Sequence, residues 1–532
     1  MLYFEGWQGG KKDSGALKSF SVLMLFVLLL TGCHESVDPF RRNVTLESFE
    51  AMKVDDYALN SLVMRENLGH FSETDRESNS VVGRVRSYYR DNRPLVWIDA
   101  KGVDNRADTL LKTLRSKLPE MGFSDKYFRL SQIEEDLARM RTLHFDESNK
   151  INKVAARLEY NLTRAYLRYV TGQRFGFVNP NTVLNTYDAR ETDSTGRVRS
   201  YRHLFDVGME HPDDAYTGRA LRRVSSDSLG IYLRQVEPQD KLYQLLMEKL
   251  HAATDSQRPR IMVNMERCRW RDTLRHKAGE KYVVVNVPAF HLWAVGPDSV
   301  VDMRVACGAV KTKTPLLTSL ITHMEVNPEW SIPMSIIRDD VARHGGDSGY
   351  FTRHRYYIAD RKTGKRLSPG SVSPAMLRSG NYRVAQLGGA GNSLGRIIFR
   401  FPNNFSVFLH DTSSPGAFGR DNRGVSHGCV RVQHPFELAK FMLGSEADEK
   451  LLDKLRISMG MKPETDWGRD LMDELDPAVK TPKLVSWLKV SPRVPIIITY
   501  YTIFLTPYGS LQYYPDVYGY DKAIKESLQK YM

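Results

Sequence analysis

The chain has 532 residues, 41% of them hydrophobic and 26% charged, the make-up of a globular protein long enough for several domains. A formal net charge of +13 favours anionic surroundings such as wall polymers or lipid head groups, and no zinc-finger or aromatic RNA-binding motif points to a nucleic-acid partner. The four cysteines, Cys33, Cys268, Cys307 and Cys429, lie far apart without a C-x-x-C pattern; this argues against a disulfide-framework fold and a Cys-rich zinc site, and leaves a Cys268–Cys307 bridge open.

At the N-terminus Lys11, Lys12 and Lys18 precede an apolar run from Phe20 to Leu30. The run is shorter than the roughly 20 residues that span a bilayer, and its basic flank predicts a secretory signal. The following Leu30-Thr31-Gly32-Cys33 resembles the lipobox of bacterial lipoproteins, in which the cysteine is lipidated and becomes the mature terminus. The resemblance implies a signal over 1–32, lipid attachment at Cys33, and an extracytoplasmic, membrane-anchored protein facing the periplasm. The first ten residues are superfluous for such a signal, so translation is expected to start downstream of Met1.

Residues 33–90 read as a linker and the start of a helical region, and residues 91–260 as a mainly helical domain. Pro94-Leu95-Val96-Trp97 leads to a helix through Leu110, Leu111, Leu114 and Leu118. Apolar residues at helical spacing predict a long helix over 151–171 with Gly172 as its stop, and another helix covers 240–253. From Tyr282 the pattern turns β-rich: 282–287, 300–306, 397–401 and 405–409 read as strands. A Pro/Gly/Ser-rich, basic stretch at 331–393 reads as a long lid loop. His434-Pro435 opens a short amphipathic helix, and 494–504 with 511–514 form a hairpin in a C-terminal extension, 446–532, packed on a catalytic domain at 261–445. There is no internal repeat. The fold class expected is α+β.

The chemistry concentrates in Phe408-Leu409-His410-Asp411-Thr412 and Ser426-His427-Gly428-Cys429-Val430-Arg431. A cysteine nucleophile needs a base nearby and donors aimed at the carbonyl it attacks. A strand end presents His410 rigidly, and Gly428 lets a substrate approach the backbone, whose N–H groups around Gly428 and Cys429 could hold an oxyanion. Arg431 can fix a carboxylate or brace the loop. A zinc site of His410, His427, Cys429 and His434 has none of the usual ligand spacings.

Together these segments resemble the catalytic motif of the YkuD-type L,D-transpeptidases: a histidine, a spacer matched here by Asp411 to Val425, then Ser-His-Gly-Cys with a nearby Arg. Asn264 to Trp270, Val285 to Phe290, Lys313-Thr314-Pro315, Asn327-Pro328-Glu329-Trp330, Gly391 to Gly395 and Asp516 to Gly519 extend the likeness to the large YcbB-like branch. Two departures stand out. The stretch from Gln239 to Asn264 is too short for that branch's peptidoglycan-binding domain, and Cys268 replaces an aromatic.

The resemblance implies a helical scaffold before a β-rich catalytic domain with an inserted lid, and no cofactor or metal. Cys429 would attack the diaminopimelate–D-alanine carbonyl of a peptidoglycan stem, and His410 would serve as general base, oriented by the main-chain carbonyl near Asp411. Ser426, His427, Gly428, Arg431 and Asp411 would form the oxyanion site and pocket, and Trp330, Asn392 and Phe408 the substrate pocket. Transfer of the thioester to a second stem's amine would give a 3→3 cross-link; water or a protein lysine are alternative acceptors, making the enzyme an L,D-carboxypeptidase or a protein-to-wall ligase. Carbapenems would acylate Cys429.

Overall fold

A computed structural model describes residues 57–77, 80–91, 93–99, 101–225, 228–273, 279–476, 479 and 482–532; the signal segment and Cys33 lie outside them. The chain forms two compact units, one of residues up to Asp108 with Arg129–Ala165, the other of Thr109–Phe128 with Tyr166–Met532.

In the first unit two regular helices, Ser61–Thr74 and Ser80–Arg90, occupy the region read as linker and scaffold start. They share the unit with Leu130–Thr142 and the first part of the long helix Ile151–Phe175. A buried carboxylate organises it. Glu159, fully buried, accepts the N–H groups of Val96, Trp97 and Ile98 at 2.5, 2.9 and 3.1 Å and the Tyr89 hydroxyl at 2.8 Å. Burial pushes its carboxyl pKa up, and these four donors supply the partners a buried carboxylate requires. The long helix runs four residues beyond the expected end: it passes through Gly172 and stops at Phe175, before the left-handed Gly176.

The second unit carries helices Asp214–Val224, Lys241–His251 and Arg258–Arg269 together with a β-barrel. The sheet comprises β1 (Phe205–Asp206), β2 (Tyr282–Asn286), β3 (His291–Val295), β4 (Val300–Gly308), β5 (Leu316–Val326), β6 (Ile397–Arg400), β7 (Leu409–His410), β8 (Gly424–Ser426), β9 (Val430–Val432) and β10 (Trp487–Thr499). Its order β6-β7-β9-β4-β3-β2-β10-β5 closes on itself because β5 also pairs with β6; β1 and β8 add to β5 and β4 at the side. Closure leaves no open edge around the ring. Alternation fills the interior with Val283, Val285, Leu292, Met324, Phe399, Leu409, Val430 and Ile498, all at most 2% exposed.

Three features differ from the sequence reading. Strands β3 and β5 and the short β1, β8 and β9 are added to those expected. β10 lies inside the ring, parallel to β2 and antiparallel to β5, so residues beyond 445 complete the barrel; the hairpin is the shorter pair Ile503–Leu505 and Leu511–Tyr513. Cys268 and Cys307 are free thiols, so no bridge forms.

The stretch 331–393 is a folded insert between β5 and β6. Trp330–Ser331, Tyr382–Gln386, Tyr356–Asp360 and Arg366–Leu367 form, in that order, a four-stranded sheet. It has its own core of Ile332, Ile337, Phe351, Ile358, Leu377 and Val384, all at most 1% exposed. Apolar residues separated by Gly and Ser turns suffice for a small sheet, where composition alone reads as loop. Hydrogen exchange is expected to show amides of Tyr356–Asp360 and Tyr382–Gln386 protected well above the turns around them. Exchange as fast as an unstructured peptide would contradict a folded insert.

Candidate active site

The site is built on neighbouring strands. β7 runs parallel to β9, with Leu409 facing Val430 and His410 facing Arg431. Leu409 and Val430 are both fully buried in the barrel interior. Strand alternation therefore puts His410, Arg431 and the adjoining Cys429 on the outer face together. Val430 N–H donates to the Phe408 carbonyl at 3.0 Å, which places Phe408 beside Cys429.

His410 is 4% exposed, and its Nδ1–H donates to its neighbour Asp411's main-chain carbonyl at 2.5 Å, as the sequence reading expected. That bond assigns the tautomer and leaves Nε2 as the basic atom. Burial lowers the imidazole pKa from 6.5 to about 4; the carbonyls of Asp411 and Leu394 oppose the shift, and the Arg431 charge adds to it. The Asp411 side chain is turned away to accept the Arg396 N–H at 2.7 Å. Gly395, at φ +68°, leaves room for it: a Cβ there would sit 2.4 Å from Asp411 Cβ.

Cys429 is half-buried, and its Sγ–H points to the Ser406 carbonyl at 3.9 Å. Burial pushes the thiol pKa up, against the Phe408 N–H and the positive charges of Arg400 and Arg431. Both shifts favour the uncharged forms, a thiol and a neutral imidazole.

The turn before Cys429 is tightly braced. Ser426 Oγ donates to the Cys429 carbonyl at 2.6 Å and accepts the Gly428 N–H at 3.1 Å. Gly428 has φ +115°, a backbone conformation that L side chains rarely adopt. The Gly428 N–H is thus engaged by Ser426 Oγ, whereas the Cys429 N–H has no acceptor among the described residues. Arg431 Nε is buried with no hydrogen-bond partner among the described residues.

The other expected site residues divide. Phe408 adjoins Cys429. His427 is exposed, whereas His410 is buried. Trp330 packs on the core of the insert. Asn392 is fully buried, with Oδ1 accepting the Leu394 N–H at 2.7 Å and Nδ2 donating to the Leu387 carbonyl at 3.0 Å, and so holds a turn. Among the described residues no group of three His, Cys, Asp or Glu side chains converges as a metal site would require, and His434 stands at the N-cap position of the helix Pro435–Leu443 without a side-chain capping bond.

Sequence reasoning missed the braces. Thr314, fully buried, donates through Oγ1 to the Gly428 carbonyl at 2.9 Å and accepts the Gly308 N–H at 2.8 Å. Its own N–H donates to the Tyr518 hydroxyl at 3.1 Å, and that hydroxyl donates to the Gly308 carbonyl at 2.7 Å. Thr312 Oγ1 donates to the Ser426 carbonyl at 2.7 Å. The polar Lys-Thr-Pro between two β-rich runs was the available signal. Arg400 was missed as well.

Residues 280–477 match YkuD, the L,D-transpeptidase catalytic domain, and residues 83–250 match the Scaffold domain. A Haemophilus influenzae protein named "Putative L,D-transpeptidase" is 25% identical over 323 residues, covering 59% of this chain and 60% of that protein. The chain thus spans about three-fifths of the length of the relative it matches. Among solved structures, an L,D-transpeptidase from Mycobacterium smegmatis aligns over 41% of this chain and 58% of its own at 14% identity, with a TM-score of 0.20. The Ldtfm–avibactam carbamoyl enzyme aligns over 41% and 48% at 10% identity, with a TM-score of 0.18. The chain therefore joins a helical region matching the Scaffold domain to a β-rich region matching the YkuD catalytic domain.

Proposed function

We propose that the protein is an L,D-transpeptidase that cross-links peptidoglycan stems through a thioester on Cys429. The observation that supports this most is the pairing of β7 with β9, which sets the Ser-His-Gly-Cys turn beside a buried, tautomer-fixed histidine inside the region matching YkuD.

The donor is a tetrapeptide stem. Cys429 Sγ attacks the carbonyl between diaminopimelate and the terminal D-alanine, and His410 Nε2 takes the thiol proton. With the thiol held up and the imidazole held down, the ion pair is disfavoured at rest. It forms as the carbonyl oxygen becomes negative, when the Cys429 N–H receives that charge and the new anion offsets the imidazolium. Collapse breaks the C–N bond, and His410 returns the proton to the departing D-alanine amine. An amine of a second stem then attacks the thioester, gives its proton to His410, and releases Cys429. One amide is exchanged for another, so the sequence needs neither ATP nor a cofactor. Hydrolysis, or transfer to a protein lysine, would use the same residues; which acceptor dominates depends on how well water is kept out.

The lipobox and charge suit this substrate: attachment at Cys33 would hold the enzyme at the membrane facing the wall. Fatty-acid labelling of the expressed protein is expected to disappear in Cys33→Ala; persistent labelling contradicts the anchor.

Cys429→Ala is expected to abolish D-alanine release and carbapenem acylation with the fold intact, and His410→Ala to slow both by about 10²–10⁴-fold. His427→Ala should cost far less, because that side chain is exposed. The acid limb of kcat/KM should lie near pH 4: the base is active while neutral and is lost only as pH falls through its lowered pKa. An acid limb at the ordinary 6.5, or release of D-alanine by Cys429→Ala, would overturn these roles.

A further inference from the structure

The outer face that carries Cys429 continues across three more strands. Phe399 faces Leu409, which sets Arg400 beside Phe408. Arg400 in turn faces His323 on β5, and His323 faces Lys489 on β10. The neighbours Phe399, Met324 and Val490 are buried, so this row points outward. It runs from Cys429 through Phe408, Arg400 and His323 to Lys489, and Trp487 flanks its end, 55% exposed with its ring stacked on His323 at 5.5 Å.

Arg400 is the fixed point of the row. Its Nε and Nη2 grip the two oxygens of Glu325 at 3.1 Å each, and its guanidinium carbon lies 4.5 Å from the centre of the Phe408 ring. This grip orients the fork and leaves Nη1 without a protein acceptor among the described residues. Arg431, Arg400 and Lys489 outnumber Glu325, the row's one acidic side chain, and Trp487 with His323 offers a flat apolar surface.

We propose that this row is the track on which an anionic stem peptide lies, with Arg400 reading a carboxylate of the acyl donor. The proposal rests on the acyl-transfer reading above. Diaminopimelate keeps a second, free carboxylate at the far end of its side chain once one carboxyl is joined to D-alanine. Arg400 stands two strand spacings from Cys429, about 9.5 Å between backbones, a span that the long donor side chain and the arginine's own reach cover together. A guanidinium already oriented by one carboxylate and an aromatic face loses little freedom on taking a second. A merely structural ion pair would be indifferent to the charge of the ligand.

The test compares D-alanine release from two tetrapeptides, one with the diaminopimelate side-chain carboxylate free and one with it amidated, in the full chain, Arg400→Gln and Arg400→Lys. The free acid should show KM raised about 10- to 100-fold by Arg400→Gln, the scale of a lost charge-assisted hydrogen bond, with Arg400→Lys recovering part of the loss. The amidated peptide should have the same KM in all three. An equal rise for both peptides, or none, overturns the proposal. If Arg400→Gln fails to fold, the parent alone decides: the free acid must have the lower KM, and equal values overturn the idea. If the parent releases D-alanine from neither peptide, the acyl-transfer reading has failed. The track is then decided by equilibrium binding of the same peptides to Cys429→Ala. Salt-sensitive binding of the free acid over the amide supports it, and binding of neither sinks it.

Discussion

The structure depends on the parallel register between β7 and β9. Leu409 and Val430 face each other in the barrel interior with no exposure to solvent. Sliding either strand by one residue would bring His410 or Arg431 into the apolar core and expel an aliphatic side chain, so burial itself fixes the register. The same register puts the imidazole, the thiol and Arg431 on one outer face. Hydrophobic packing on one side of the strands thus sets which polar side chains share the other. Ring closure through β5 and β6 holds β7 from its second edge and carries Arg400 to the same face.

Around that pair, polar groups are used to fix backbone more than to do chemistry. Ser426 spends both of its hydrogen bonds on its own turn, Asn392 on the turn leading to Leu394, and Asp411's carboxylate on the Arg396 N–H. Thr314 and Tyr518 tie the Gly428 carbonyl to β4 and to the C-terminal segment. Among the described residues these braces leave a short set for a ligand: the ring edge of His410 opposite its Asp411 bond, the Cys429 N–H and its Sγ, held only by a long contact to Ser406, and Nε of Arg431. Burial disfavours the charged forms of both His410 and Cys429, so an ion pair between them would need a compensating charge from outside.

Much of the site was legible in the sequence because its signal is local. A strand ending in histidine and a Ser-His-Gly-Cys turn are short strings, and the Asp411 carbonyl that orients the ring is the next residue along. Helices with regular apolar spacing, such as Ile151–Phe175 and Lys241–His251, were legible for the same reason. What stayed hidden is non-local. β10 joins β2 and β5 from far along the chain, so its place inside the ring left no trace in nearby spacing. The insert 331–393 has few long apolar runs, and its core forms only when four short strands meet. That the Gly428 N–H is engaged, and that Arg400 lies two strands from Cys429, are facts of pairing which no spacing reveals.

The most direct test of the account is to catch the covalent intermediate. A tetrapeptide stem mixed with the full chain and quenched in acid within a turnover should leave the tripeptide acyl group on the proteolytic fragment that contains Cys429. The adduct should be cleaved by hydroxylamine, as a thioester is, and Cys268 and Cys307 should stay unmodified. Steady release of D-alanine with no acyl group on Cys429 at any quench time, or an acyl group on another residue, would contradict the account.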